Sequence, residues 1–284
     1  MSLLYSDLPV YVGLPNTTGI VEDDAYVPAT QVNVNYNTNS APRRNLGVNV
    51  NAGDQFGFGA ALAATISFTC ILQEEFQVGF EFFADEANDA YVPIKIGDNF
   101  FQKCYTTDIA ISIAPDAPVT LQANFICLDP AVGGLVDEKI EGDSTPYTGH
   151  GFPINADQLI YGQFCTVSNM EDVVGNVQSQ INFKRTYQRT PIYTLGSVNA
   201  STALLDGIEE EMSITSTGLK NLIGWSGDYL SAPVTVGLSA QDGSALDFVT
   251  QVSMAVGARV LTEGYNVAGG DTVATTATIK QVTL

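Results

Sequence analysis

Positive charge is what this sequence has least of. Eleven Lys and Arg stand against 31 Asp and Glu in 284 residues, a formal net charge of −20. A surface so poor in cations cannot gather phosphates by counterion release, which disfavours conventional DNA, RNA or anionic-membrane binding. The bias is not confined to a tail: residues 1–142 carry 5 basic and 18 acidic side chains, residues 143–284 carry 6 and 13. Histidine is nearly absent as well, so a histidine-based triad would have to use His150, which sits between two glycines and reads as an ordinary loop residue. The single tryptophan, Trp225, falls within the segment of helical spacing between Leu219 and Leu230 and reads as core, which leaves a sugar-binding cleft without its usual platform. The four cysteines (Cys70, Cys104, Cys127, Cys165) form no C-x-x-C pair and lie in apolar surroundings, so they read as reduced cysteines packed as small hydrophobes rather than as a zinc site. No G-x-S-x-G, H-E-x-x-H or phosphate-loop motif occurs. We therefore expect no enzyme activity, no cofactor and no metal.

Long apolar runs are missing too. The most apolar segment, Phe58–Leu72, is interrupted by Gly59, Thr65, Ser67 and Thr69 and falls short of the ~20 residues of a membrane helix. The first residues, Met1–Asp7, have neither the basic nor the apolar stretch of a secretory signal. Synthesis and assembly in a cytosol is the expectation, and the sequons at Asn16 and Asn199 then carry little meaning.

What is present is material for a core. Hydrophobic residues make up 45% of the chain, with 14 Phe and 12 Tyr, which is globular rather than disordered. Strict alternation marks strands at Val32–Tyr36, Ile109–Ile113, Val119–Phe125, Gln178–Phe183, Val234–Leu238 and Ala274–Ile279. Turn signals such as Gly97-Asp98-Asn99, Asp242-Gly243 and Gly269-Gly270-Asp271 separate such runs. Helical spacing occurs twice, at Phe76, Phe80 and Phe83 and at Leu219, Leu222, Ile223 and Leu230.

The chain also echoes itself. Asn35-Tyr36 and the later Leu46-Gly47 recur as Asn182-Phe183 and Leu195-Gly196, at offsets of 147 and 149. Ile66–Thr69 recurs as Met212–Thr215 at 146, and Val119–Phe125 as Val273–Ile279 at 154. Four matches in one order imply two diverged copies of a unit. The expected fold is mainly β: two tandem antiparallel β-sandwich or barrel domains, each with one flanking α-helix, related by internal duplication. Their bounds are 1–130 and 160–284, with a Gly-, Pro- and Asp-rich linker over 131–159.

The acidic clusters Glu22-Asp23-Asp24, Glu74-Glu75, Asp137-Glu138 and Glu209-Glu210-Glu211 lack the alternating ligands and closing Glu of a calcium loop, and read as solvated acidic faces.

The opening Leu4-Tyr5-Ser6-Asp7-Leu8-Pro9-Val10-Tyr11-Val12-Gly13, the paired strand–Arg–Leu-Gly units, the strand–helix–strand order of each copy and the acidic balance resemble tailed-bacteriophage tail tube proteins with two fused tube domains. The resemblance implies a structural virion protein of the tail, assembled in the host bacterial cytoplasm. It implies a protein that partners itself in stacked homotrimeric rings of six tube domains. It also implies contacts with sheath, terminator, baseplate or hub proteins, and passage of genomic DNA without specific binding. An acidic lumen would let DNA slide, and Asp54, Asp108, Asp206, Glu209 and Asp247 are acidic candidates near strands. Arg43, Arg44, Arg185 and Arg189 lie at matching places in the two copies and are candidates for inter-subunit ion pairs, with solvated loop arginine as the other reading. Alternatives for the whole chain are a tube initiator, a tail terminator, a head decoration protein, or a carbohydrate-binding β-sandwich module.

Overall fold

The computed structural model describes residues 10–13, 15–16, 26–27, 29–37, 40–42, 56–58, 63–72, 90–97, 99–128, 159–168, 178–195, 200–217, 229–230, 232–239, 251–267 and 273–283. In the first half the strands are β1 (Val10–Val12), β2 (Tyr26–Val27), β3 (Ala29–Asn37), β4 (Ser40–Pro42), β5 (Phe56–Phe58), β6 (Ala63–Ile71), β7 (Val92–Ile96), β8 (Asn99–Ile113) and β9 (Thr120–Cys127). The second half adds β10 (Thr166–Ser168), β11 (Gln178–Tyr193), β12 (Ala200–Thr217), β13 (Val234–Gly237), β14 (Gln251–Met254), β15 (Arg259–Val267) and β16 (Val273–Thr283). Among the described residues the only helical element is the 3₁₀ turn Gly162–Phe164. Phe76, Phe80, Phe83, Leu219, Leu222 and Ile223, on which the two helices were expected, lie outside the described residues, as do His150 and Trp225; Leu230, the last residue of the second pattern, is described and sits in no helix, its N–H donating to Ala258 O at 2.8 Å.

All pairings are antiparallel. Eight strands run edge to edge in the order β3-β6-β9-β8-β11-β12-β16-β15. The first four come from the first half of the chain and the last four from the second, joined where Asp108–Ile113 of β8 pairs with Ile181–Thr186 of β11. The N-terminal part of β8 carries β7, β1 and β2 instead. Two smaller sheets, β10-β13-β14 and β4-β5, complete the set.

The two groups of four share more than their order. In the first, Ser67 faces Asn124 and Phe68 faces Ala123. In the second, the echoed residues Ser213 and Ile214 face Thr278 and Ala277, the same register. Thr107 is an extra residue between Thr106 and Asp108, which face Phe125 and Asn124. Leu261 is likewise extra between Val260 and Thr262, which face Ile279 and Thr278. Both groups thus carry a β-bulge at one position of the shared frame, and bulges re-aim side chains and twist the strand.

Alternation gives the sheet two unlike faces. Phe68, Ile111, Leu121, Ala123, Phe125, Ile181, Phe183, Met212, Ile214 and Ile279 are buried on one of them and belong to a single hydrophobic cluster that spans both halves. Each such Leu, Ile or Phe contributes about 1.5–3 kcal/mol on burial. Phe68 and Phe125 stack at 5.6 Å between centroids. The β13-β14 sheet adds Val234, Val236 and Met254 to the same cluster. Residues 159–162 strap the end of β6 and β9: Ile160 N–H donates to Leu72 O (3.2 Å) and its carbonyl accepts from Val119 N–H (2.7 Å). Gly97, at φ 56°, makes the turn into β8.

Candidate functional site

The opposite face of the eight-stranded path is polar. One row across it reads Gln31, Thr69, Gln122, Ala110, Lys184, Glu211, Lys280 and Arg259, each facing the next on the neighbouring strand. A second row reads Asn33, Ser67, Asn124, Asp108, Thr186, Glu209 and Val282. All of these side chains are exposed or half-buried. A groove of about 290 Å³ crosses the junction, lined by Gln122, Asn182, Lys184 and Glu211 together with the apolar Ala110, Ile111 and Phe183. Neither row holds an aromatic ring.

Two of the acidic candidates lie on this face. Asp108 accepts a hydrogen bond from Asn124 Nδ2 at 2.6 Å, and Glu209 forms an ion pair with Lys280. The hydrogen bond that Lys280 donates to the Glu209 carboxylate raises the Lys280 pKa above its ordinary value. Asp206 is exposed beside a bulge in β12 and accepts a hydrogen bond from Thr190. Asp54 and Asp247 lie outside the described residues. The two rows carry three acidic side chains (Asp108, Glu209, Glu211) and three basic ones (Lys184, Lys280, Arg259), so this stretch of the face is charge-balanced rather than acidic.

The arginines differ from the loop reading. Arg185 and Arg189 lie inside β11 and donate within the chain; Arg43 and Arg44 are outside the described residues. Arg185 grips Glu210 Oε1 through Nε (2.8 Å) and Nη2 (2.6 Å). Arg189 donates to the carbonyls of Thr106 (2.8 Å) and Ala203 (3.3 Å), with its guanidinium over the rings of Tyr105 and Tyr187. Glu209-Glu210-Glu211 is accordingly not one solvated face. Strand alternation turns Glu209 and Glu211 to the polar side and sends Glu210, 8% exposed, to the core side. That split follows from strand period two, which would have been legible once this segment was read as a strand rather than as a charge run.

Among the described residues no group of three His, Cys, Asp or Glu is arranged to hold a metal ion. No protein-family model and no curated protein matches the chain.

Proposed function

We propose that the chain is a structural protein of a phage tail tube, two fused tube units whose polar sheet face lines a conduit for genomic DNA. The observation that carries this reading is the recurrence of one four-strand unit, with matched order, matched register and a matched bulge, joined edge to edge through β8 and β11. It supports descent by duplication, and it supplies one continuous eight-stranded segment of a wall. Three chains with eight strands each would close a barrel of 24 strands, the outer edges β3 and β15 pairing between neighbours. At about 4.8 Å between strands and a tilt of about 40°, that barrel has a backbone diameter of roughly 48 Å, wide enough for a DNA duplex.

The polar face suits transit. Lys280 pairs with Glu209 and Lys184 faces Glu211 across the strands, so both have an acidic neighbour that competes with phosphate and weakens the hold of this face on a sliding polymer. Screening over ~8 Å at physiological salt keeps each residual interaction short-ranged. In the virion such rings would stack and would meet sheath, terminator, baseplate or hub proteins at the ends or outside of the tube.

Electron microscopy of the purified protein tests this. Rings or tubes with three chains per turn are expected. Particles that stay monomeric at high concentration, or rings of six chains, would overturn the two-unit tube reading.

A further inference from the structure

We propose that Cys104 and Cys127 form a latent cross-strand disulfide, an oxidative clamp between β8 and β9. The two residues are direct partners in the β8·β9 register. Facing residues of antiparallel strands hold their Cα atoms about 4.5–5.5 Å apart, inside the range of about 4.4–6.8 Å that a disulfide spans. The sulfurs already touch: Cys127 Sγ donates to Cys104 Sγ at 2.7 Å. A bond at about 2.0 Å therefore needs only about 0.7 Å of further approach. Both side chains are wholly buried, flanked on their row by Ala64 and Val92. Neither Cys70, which faces Leu121, nor Cys165, whose Sγ donates to Tyr161 O at 3.6 Å, has such a partner among the described residues.

The chemistry balances with a hydroperoxide as oxidant. One thiol takes the terminal oxygen of hydrogen peroxide and becomes a sulfenic acid as the first water leaves. The second sulfur then attacks it, the S–S bond forms, and a second water departs with the remaining thiol proton. Burial raises the Cys104 pKa and so suppresses its thiolate, the reactive form. Oxidation by peroxide is consequently slow in the intact fold; it follows transient opening of β8 and β9, or takes place during folding under oxidising conditions, and the S–S bond forms as the register brings the two sulfurs back together. Closing the clamp staples β9 to the strand that carries the second half of the chain.

The full chain, refolded from urea with and without hydrogen peroxide, tests the proposal by mass and by thiol count after alkylation in denaturant. The expected result is a loss of 2 Da and two of four thiols, with a proteolytic fragment joining Cys104 to Cys127. Cys70→Ser should keep that loss and Cys104→Ser should abolish it. Cross-links through Cys70 or Cys165, or four thiols retained in the wild-type chain, would overturn it, and this wild-type result decides even if Cys104→Ser fails to fold.

Discussion

The ion pair between Arg185 and Glu210 offers the sharpest test of the sheet register. The two residues face one another on β11 and β12, on the face that otherwise holds Ile181, Phe183, Met212 and Ile214. Two unit charges 4 Å apart attract by about 4 kcal/mol at an effective dielectric of 20, and desolvation takes back much of that. The side chains are 27% and 11% exposed, so solvent screens the pair in part. Removing one partner from a fully buried pair costs about 3–5 kcal/mol, and an exposed pair is worth up to about 1. Glu210→Ala should therefore destabilise the fold by about 2 kcal/mol. With an m-value near 3 kcal/mol/M, the urea midpoint followed by circular dichroism should fall by about 0.7 M. The double variant Arg185→Met with Glu210→Leu should recover most of the loss, because no charge is left unpaired on the core side. A Glu210→Ala variant as stable as the parent, or a double variant worse than either single, would refute the placement of this pair.

Three further outcomes follow from the same geometry. Gly162→Ala should cost about 1–3 kcal/mol, because the new Cβ would run into the Ala114 carbonyl; Gly264→Ala, with nothing within 4 Å, should be tolerated, and urea midpoints separate the two. Phe125→Ala, which empties one side of the Phe68 stack in the core, should cost about 3–5 kcal/mol in the same assay. Lys280 has a raised pKa in the fold, so its contribution is complete below about pH 10.4, the unfolded value, and is lost as pH climbs through the folded one. The midpoint difference between the parent and Lys280→Gln should hardly change between about pH 7 and 9 and shrink under stronger alkali; a difference that grows there would contradict the pairing with Glu209.

Local pattern carried far in this sequence, and stopped where pairing is long-range. The alternating runs Val32–Tyr36, Ile109–Ile113 and Gln178–Phe183 lie within β3, β8 and β11, because period two reflects one buried face and needs no partner to be visible. The echo between Val119–Phe125 and Val273–Ile279 fell on β9 and β16, which hold corresponding places in the two groups. The length of β11 and β12 was not legible, since Glu209-Glu210-Glu211 reads as a charge run until β12 is known to pass through it. Nor could spacing reveal that Cys104 and Cys127 are opposite one another, 23 residues apart in the chain. That fact depends on the register of β8 with β9 and on the bulge at Thr107. The junction of β8 with β11 is the most distant of these features from any local signal, since it pairs the edges of two separate groups.

The shortage of cations takes on a different meaning once the strands are paired. The described residues hold seven acidic side chains (Asp108, Asp116, Asp206, Glu209, Glu210, Glu211, Glu263) and seven basic ones (Lys95, Lys103, Lys184, Arg185, Arg189, Arg259, Lys280). The remaining 24 acidic and 4 basic residues therefore account for the whole net charge of −20. Cross-strand geometry gives a reason. Side chains facing one another on adjacent strands have Cβ atoms about 5 Å apart, and like charges there destabilise the pair. An acid on a central strand thus calls for a cation or a neutral donor opposite or diagonal to it. Lys184 faces Glu211, Glu211 faces Lys280, Arg185 faces Glu210, and Asn124 serves Asp108. Among the described residues each of these acids has a cation or a neutral donor opposite or diagonal to it, whereas Arg259 faces Lys280, so the match is driven by the acids and not by every cation. The same constraint makes the polar face nearly neutral, and a wall built from it would resist phosphate binding through acidic neighbours that compete for its cations rather than through a surplus of acid.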